Sequence, residues 1–210
     1  MTWSDRQILT CFKMPGGSAI TGRATSIRNV FVAAIVPIIR PGVDELRQVL
    51  RILELDPNNL RCSYCGDKAS EWDHLRPLVK DGLPTGYPSS IRNLVPSCGK
   101  CNQSKGSSDW KEWMLGVARH SPSARKIVDV VQRVSRLDAF AAWADCMPLN
   151  MKELVSPALW NEYYAIQQEI LNKMREAQKL AVTIATEIKS RSIDTSANGD
   201  KARLKSRARH

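Results

Sequence analysis

Two cysteine pairs, Cys62-Ser-Tyr-Cys65 and Cys98-Gly-Lys-Cys101, stand 32 residues apart and constrain this chain more than any other feature of it. Each C-x-x-C pair forms a knuckle that grips an ion with two sulfurs, and two knuckles complete a tetrahedral shell. The spacing therefore predicts one structural zinc held by Cys62, Cys65, Cys98 and Cys101. A closed four-sulfur shell leaves no open position, so any catalysis has to be sought elsewhere. Six cysteines in 210 residues are too few for a disulfide scaffold, and the isolated Cys11 and Cys146 read as small hydrophobes. The opening Met-Thr-Trp-Ser-Asp lacks the basic start, apolar core and cleavage site of a signal peptide, so a reducing cytoplasm is expected. No membrane span is expected either. The apolar run from Val30 to Ile39 is broken by Pro37 and closed by Arg40-Pro41, well short of the roughly 20 residues a bilayer requires.

The texture of the chain changes around the knuckles. Residues 58–107 are punctuated by Gly66, Gly82, Pro84, Gly86, Pro88 and Gly99, a loop-and-hairpin composition. Helical periodicity lies on both sides. Ile27, Val30, Phe31, Ala34 and Ile35 fall on one helical face, and a second helix is expected to start at Asp44 and bury Leu46, Val49, Leu50 and Leu53 before Asp56-Pro57. Downstream, Trp110, Trp113, Met114 and Val117 form a stripe. Ser121-Pro122 then predicts the start of a helix bearing Ile127, Val130, Val131, Val134, Leu137 and Phe140, and Ser156-Pro157 repeats that signal. In the last helix Tyr163, Ile166, Ile170, Met174, Ala177, Ala181, Ile184 and Ile188 approach a heptad seam, which needs a partner: a second copy, or another helix of the same chain. A break is expected over Asp194–Asp200, followed by a basic tail. Lys and Arg number 31 against 21 acidic residues, for a net charge of +10, which suits a polyanionic partner.

Within the span closed by the knuckles lie Glu71-Trp72-Asp73-His74-Leu75-Arg76-Pro77-Leu78, then Ile91-Arg92-Asn93-Leu94-Val95-Pro96, then Asn102-Gln103-Ser104-Lys105-Gly106. Asp73-His74, Asn93 and Asn102-x-x-Lys105, in that order relative to both knuckles, resemble the HNH, or ββα-metal, endonuclease family with zinc knuckles. With its flanking helices the chain looks like a bacterial type II restriction endonuclease. The resemblance covers residues 61–107. It implies an α+β fold: a small zinc-braced ββα-metal module at 58–107 flanked by mainly helical regions at 1–57 and 108–190, the latter for DNA contact or dimerisation, with a basic tail at 191–210.

The activity so implied is metal-dependent hydrolysis of phosphodiester bonds in double-stranded DNA. His74 would be the general base, Asp73 and Asn102 the ligands of a catalytic metal, and Asn93 a tether that holds the base in orientation. Elementary chemistry agrees with these roles. An imidazole of ordinary pKa, roughly 6.5, can take a proton from water at neutral pH. Carboxylate and amide oxygens suit Mg²⁺, with Mn²⁺ also accommodated, and Asn102 stands where many members have histidine. On a regular strand Asp73 and His74 would point to opposite faces, and the resemblance implies a bend that turns Asp73 onto the metal. Arg76, Arg92 and Lys105 are candidates for DNA phosphates, the alternatives being surface ion pairs for the arginines and a local cap for the lysine. Trp72 reads as core, and His120 and His210 have no motif around them. The partners expected are double-stranded DNA, a second copy suited to cutting both strands of a palindrome, and a cognate DNA methyltransferase as genetic neighbour. Two rival readings remain: a phage or mobile-element nicking or homing endonuclease, and a non-catalytic zinc-braced DNA-binding protein.

Overall fold

The computed structural model describes residues 3–11 and 16–207, with side chains through Ser192. Two compact units emerge, one formed by Arg28–Tyr164 and the other by the chain's two ends on either side of it. The elements in order are α1 (Asp5–Cys11), a 3-10 turn (Ile20–Arg23), α2 (Ala24–Ile35), β1 (Ile38–Ile39), α3 (Val43–Ile52), β2 (Glu71–His74), β3 (Val79–Lys80), β4 (Leu83–Pro84), β5 (Ser89–Ser90), a 3-10 turn (Ile91–Asn93), β6 (Leu94–Ser97), α4 (Gly99–Lys105), α5 (Trp110–Leu115), α6 (Val130–Ala144) and α7 (Pro157–Arg207). The fold is α+β, with its short strands gathered between helical flanks, as the sequence predicts. Among the described residues no helix is long and apolar enough to cross a membrane.

In the unit formed by Arg28–Tyr164, β2 pairs antiparallel with β6, β3 with β4, and β1 runs parallel to β5. The main core joins Val49 of α3 and Leu53 just after it, Trp113 and Met114 of α5, and Leu137 and Phe140 of α6 around the four cysteines, Tyr64 and Val95. The flanking helices thus clamp the central module by burying apolar faces on it. A smaller cluster packs Val32 and Val36 with Met151, Leu78, Val79 and Trp160. This turns α2 by one position from the expected stripe: Val32 is buried, whereas Val30 and Ala34 face solvent.

Several helix ends differ from their sequence signals. Gly42, not Asp44, precedes α3. Glu45 Oε2 reaches back to accept the Gly42 N–H at 3.3 Å, leaving Asp44 in the first turn, and Leu46 is exposed. Asp109 caps α5 by accepting the Lys111 and Glu112 N–H groups, and because the helix stops at Leu115, Val117 is 96% exposed. The helix expected from Pro122 begins only at Val130. Ser121 is used in a tight turn, donating to Gly116 O at 2.7 Å and accepting from the Ala124 N–H at 3.2 Å, and Lys126 at φ +56° interrupts the helical path.

Helix α7 does start at Ser156-Pro157, with Ser156 Oγ accepting the Leu159 N–H at 3.3 Å. It continues to Arg207, through the Asp194–Asp200 stretch where a break is expected. That stretch has no proline, and its one glycine, Gly199, costs a helix only about 1 kcal/mol. Positions 208–210 of the basic tail lie outside the described residues. Near the start of α7, the Tyr163 hydroxyl donates to Phe31 O at 2.8 Å. In the unit formed by the chain ends, Gln167 and Leu171 are the buried residues of α7 among those whose side chains are described, one position away from the seam. Seam residues Ile166, Ile170, Ile184 and Ile188 are 36–63% exposed.

Candidate active site

The β2–β6 ribbon, with Glu71 opposite Ser97, Asp73 opposite Val95 and His74 opposite Leu94, runs directly into α4 through Cys98. The first knuckle docks on the same ribbon, because the Ser63 N–H donates to Pro96 O at 2.8 Å. Within it Gly66 takes φ +80°, and its N–H closes the turn onto Cys62 O at 2.9 Å. The four sulfurs of Cys62, Cys65, Cys98 and Cys101 all lie within 4.8 Å of one another and are buried. Among the described residues this is the one set of three or more cysteine, histidine or acidic side chains gathered in this way. Cys65 and Cys98 Sγ are 3.7 Å apart, close to the about 3.8 Å edge of a tetrahedron with zinc–sulfur bonds of roughly 2.3 Å, so the cluster fits zinc. Hydrogen bonds from Cys101 and Cys65 pull the Cys62 thiol down to about 3, and the same contacts push Cys101 up: the sulfurs are close enough to compete for protons. Arg125 lies 3.6 Å from Cys101 Sγ and is anchored by Asp67 at 2.8 Å.

On the face of β2 toward α4, Asp73 is buried between Tyr64, whose hydroxyl donates to Oδ2 at 2.5 Å, and Lys105, whose Nζ lies 3.0 Å from the same oxygen. Burial raises the Asp73 carboxyl, against the opposing pull of the Lys105 charge and the Tyr64 hydrogen bond. Burial, then the Asp73 charge, also pushes the Tyr64 phenol well up, so Tyr64 stays a donor. Lys105 is 1% exposed and donates further to His74 O at 3.0 Å and Gly106 O at 3.3 Å. Replacing Lys105 with methionine strands the Asp73 carboxylate, and the expected loss of stability is about 3–5 kcal/mol, read from urea unfolding. A drop below 1 kcal/mol would contradict this account of the pair.

His74 lies on the other side of β2, half-buried, with Nε2 2.9 Å from Ser89 Oγ. Burial, then the Lys105 charge, lowers it to about 4, so the imidazole is neutral at physiological pH. Asn93 is fully buried and clasps the segment that follows His74. Its Oδ1 accepts the Arg76 N–H at 2.8 Å, its Nδ2 donates to Arg76 O at 2.9 Å, and its own carbonyl accepts the Leu75 N–H at 2.8 Å. Asn102, one turn before Lys105 on α4, donates from Nδ2 to Glu71 Oε2 at 2.6 Å.

Asp73, Lys105, Asn102 and Glu71 are therefore assembled between β2 and α4, whereas His74 projects from the opposite side of the strand: the bend expected between Asp73 and His74 is not there, because β2 pairs with β6 in unbroken register through both residues. The oxygen donors here, Asp73 and the free Oδ1 of Asn102, form a hard set suited to Mg²⁺ or Mn²⁺. The donor types fit such an ion, and because Lys105 contacts both Asp73 oxygens, at 3.0 and 3.3 Å, a cation bound there would share the carboxylate with the ammonium.

The other basic candidates are engaged within the fold. Arg92 pairs with Glu45 at 3.0 Å, donates to Ala144 O at 3.2 Å and stacks 4.9 Å over the Trp143 ring. Arg76 lies 5.6 Å over Tyr87 and donates to Ala141 O at 3.4 Å. Trp72, expected in the core, is 48% exposed: strand alternation gives the α4 face to Glu71 and Asp73 and leaves Trp72 on the side of His74. Sequence reasoning assigned no role to Tyr64, Glu71 or Ser89. Alternation from Asp73 points to Glu71, and Tyr64 lies within the first knuckle, but nothing local marks Ser89.

Residues 62–108 match the family model for HNH endonuclease. A CRISPR-associated endonuclease Cas9 from Corynebacterium diphtheriae is 30% identical over 83 residues, which make up 38% of this chain and 7% of that relative. No solved structure matches the chain.

Proposed function

We propose, starting from the match of residues 62–108 to HNH endonucleases, that this chain is a metal-dependent endonuclease that hydrolyses phosphodiester bonds of double-stranded DNA, and that its use is type II restriction. The observation that carries the reading is the presence of the whole set of Asp73, His74, Asn93 and Asn102 on the β2–β6 ribbon, the 3-10 turn before β6 and α4, with each side chain hydrogen-bonded.

In this reading His74 takes the proton of the attacking water. Its neutral form has one N–H; in the tautomer that donates Nε2–H to Ser89 Oγ, Nδ1 is the basic nitrogen. The water oxygen bonds to phosphorus as the bond to the 3′ oxygen breaks. Asn93 fixes the backbone on which the imidazole is carried, through both polar groups of Arg76. Asp73 and Asn102 would hold one Mg²⁺ or Mn²⁺, which when bound neutralises charge on the phosphate and on the departing oxygen. Lys105 opposes the upward pull of burial on Asp73 and holds its carboxyl in orientation. The four cysteines would hold a structural zinc that sets the ribbon against α4.

One site per chain cuts one strand, so duplex cleavage calls for a second copy. The exposed isoleucines of α7 supply a surface for it, and Ile170→Glu is expected to turn a dimer into a monomer in sedimentation at micromolar concentration. Action in the cytoplasm and a neighbouring DNA methyltransferase gene belong to the same reading.

The test is incubation of unmethylated plasmid and phage DNA with the protein, with and without Mg²⁺, followed by mapping of the ends. Discrete fragments that need Mg²⁺ support restriction. Nicked circles or a smear favour a nicking or homing role, and intact DNA across substrates and metals leaves a zinc-braced DNA-binding protein.

A further inference from the structure

We propose that Glu71 is a positioning residue that orients the Asn102 amide for metal binding. The proposal rests on the metal-dependent reading above and adds a residue to it. An asparagine amide is ambiguous as a ligand, because a half-turn about its last bond exchanges oxygen and nitrogen at almost equal shape, and only the oxygen can hold a cation. Glu71 removes that ambiguity. A carboxylate offers acceptors only, so the Asn102 atom 2.6 Å from Glu71 Oε2 has to be Nδ2, and Oδ1 is held on the opposite lobe of the amide.

Two features place Glu71 beside α4. It precedes Asp73 by two residues on β2, so the two carboxylates share the face under α4. Its other oxygen lies against the backbone at Gly99, where a β-carbon would stand 2.9 Å from Oε1. A side chain at Gly99 would thus have to push on the carboxylate that orients Asn102. One strand thus supplies a candidate ligand, Asp73, and the group that aims its counterpart on the helix.

A double-mutant cycle of Glu71→Ala and Asn102→Ala in the full-length, zinc-loaded protein tests this, with Mn²⁺ affinity read from the electron paramagnetic resonance signal of free Mn²⁺. Glu71→Ala is expected to weaken Mn²⁺ binding by roughly 10-fold or more. Because Glu71 acts through Asn102, the double variant is expected to bind no more weakly than Asn102→Ala alone. Glu71→Gln, which can still accept through its amide oxygen, is expected to recover part of the affinity while zinc content and Tm stay at wild-type values. Additive losses would make Glu71 a ligand in its own right and overturn the proposal, as would a loss in Glu71→Gln that merely follows a fall in Tm. If wild-type protein binds Mn²⁺ and Glu71→Ala binds it equally well, this proposal alone fails. If wild-type protein binds no Mn²⁺ and cleaves no DNA, the metal-dependent reading fails and takes this proposal with it.

Discussion

His74→Ala is expected to lower the rate of DNA cleavage by about 10²–10⁴-fold, the usual worth of a general base, with folding and DNA binding retained. The substitution removes the proton acceptor from the side of β2 away from α4, so the Asp73–Lys105 pair, the Tyr64 contact and the cysteine cluster have no reason to change. Raised Mg²⁺ or Mn²⁺ is expected not to restore the rate, because the lost function is proton transfer.

The pH profile carries a second signature. Burial and the Lys105 charge hold His74 at about 4, so the base is available throughout the neutral range and the acid limb of the single-turnover rate falls near pH 4. An acid limb near roughly 6.5, the ordinary histidine value, would argue against a base in this environment. Stability moves in the same direction. Between about 4 and roughly 6.5 the unfolded chain binds a proton that the folded chain does not, so this residue's contribution falls as the pH falls through that window.

Cys98→Ser, or exhaustive chelation, is expected to abolish cooperative folding of the central module, because apparent binding energies of structural zinc in small modules reach about 10–16 kcal/mol and are folding free energy. Cys98 sits at the junction of β6 and α4, with its sulfur 3.7 Å from that of Cys65. Losing it releases the helix that bears Asn102 and Lys105 from the strand that bears Asp73. Circular dichroism together with elemental analysis tests this, with Cys146→Ser as the control that leaves both unchanged. Well-folded wild-type protein without zinc would remove the claim.

What was legible in the sequence follows from the range of the interactions. The cysteine cluster could be read because two short spacings encode it, and Asp73–His74, Asn93 and Asn102 are marked only by their order relative to its knuckles. Asn93 shows the limit of such reading: its position is marked, but the two hydrogen bonds to Arg76 depend on how distant segments meet. Lys105 shows it more sharply. A lysine one turn beyond Asn102 reads as a phosphate contact or a local cap, and only the closure of β2 onto α4 buries it against Asp73. The helix starting at Pro122 failed for a local reason, the left-handed turn at Lys126, which no proline or glycine announces. Trp72 was misread because composition suggested core, whereas strand alternation assigns it to the open face.

The inward commitment of Arg76, Arg92 and Lys105 has a consequence for how such a chain can change over generations. Cations held on aromatic rings, backbone carbonyls and a buried carboxylate are tied to the framework, and altering them disturbs folding before it alters any choice of sequence. The two arginines among them tie the central module to α3 and α6, through Glu45 and the Ala141 and Ala144 carbonyls, so those helices and the module are expected to change together, and a flank exchanged between relatives has to bring its matching contacts with it.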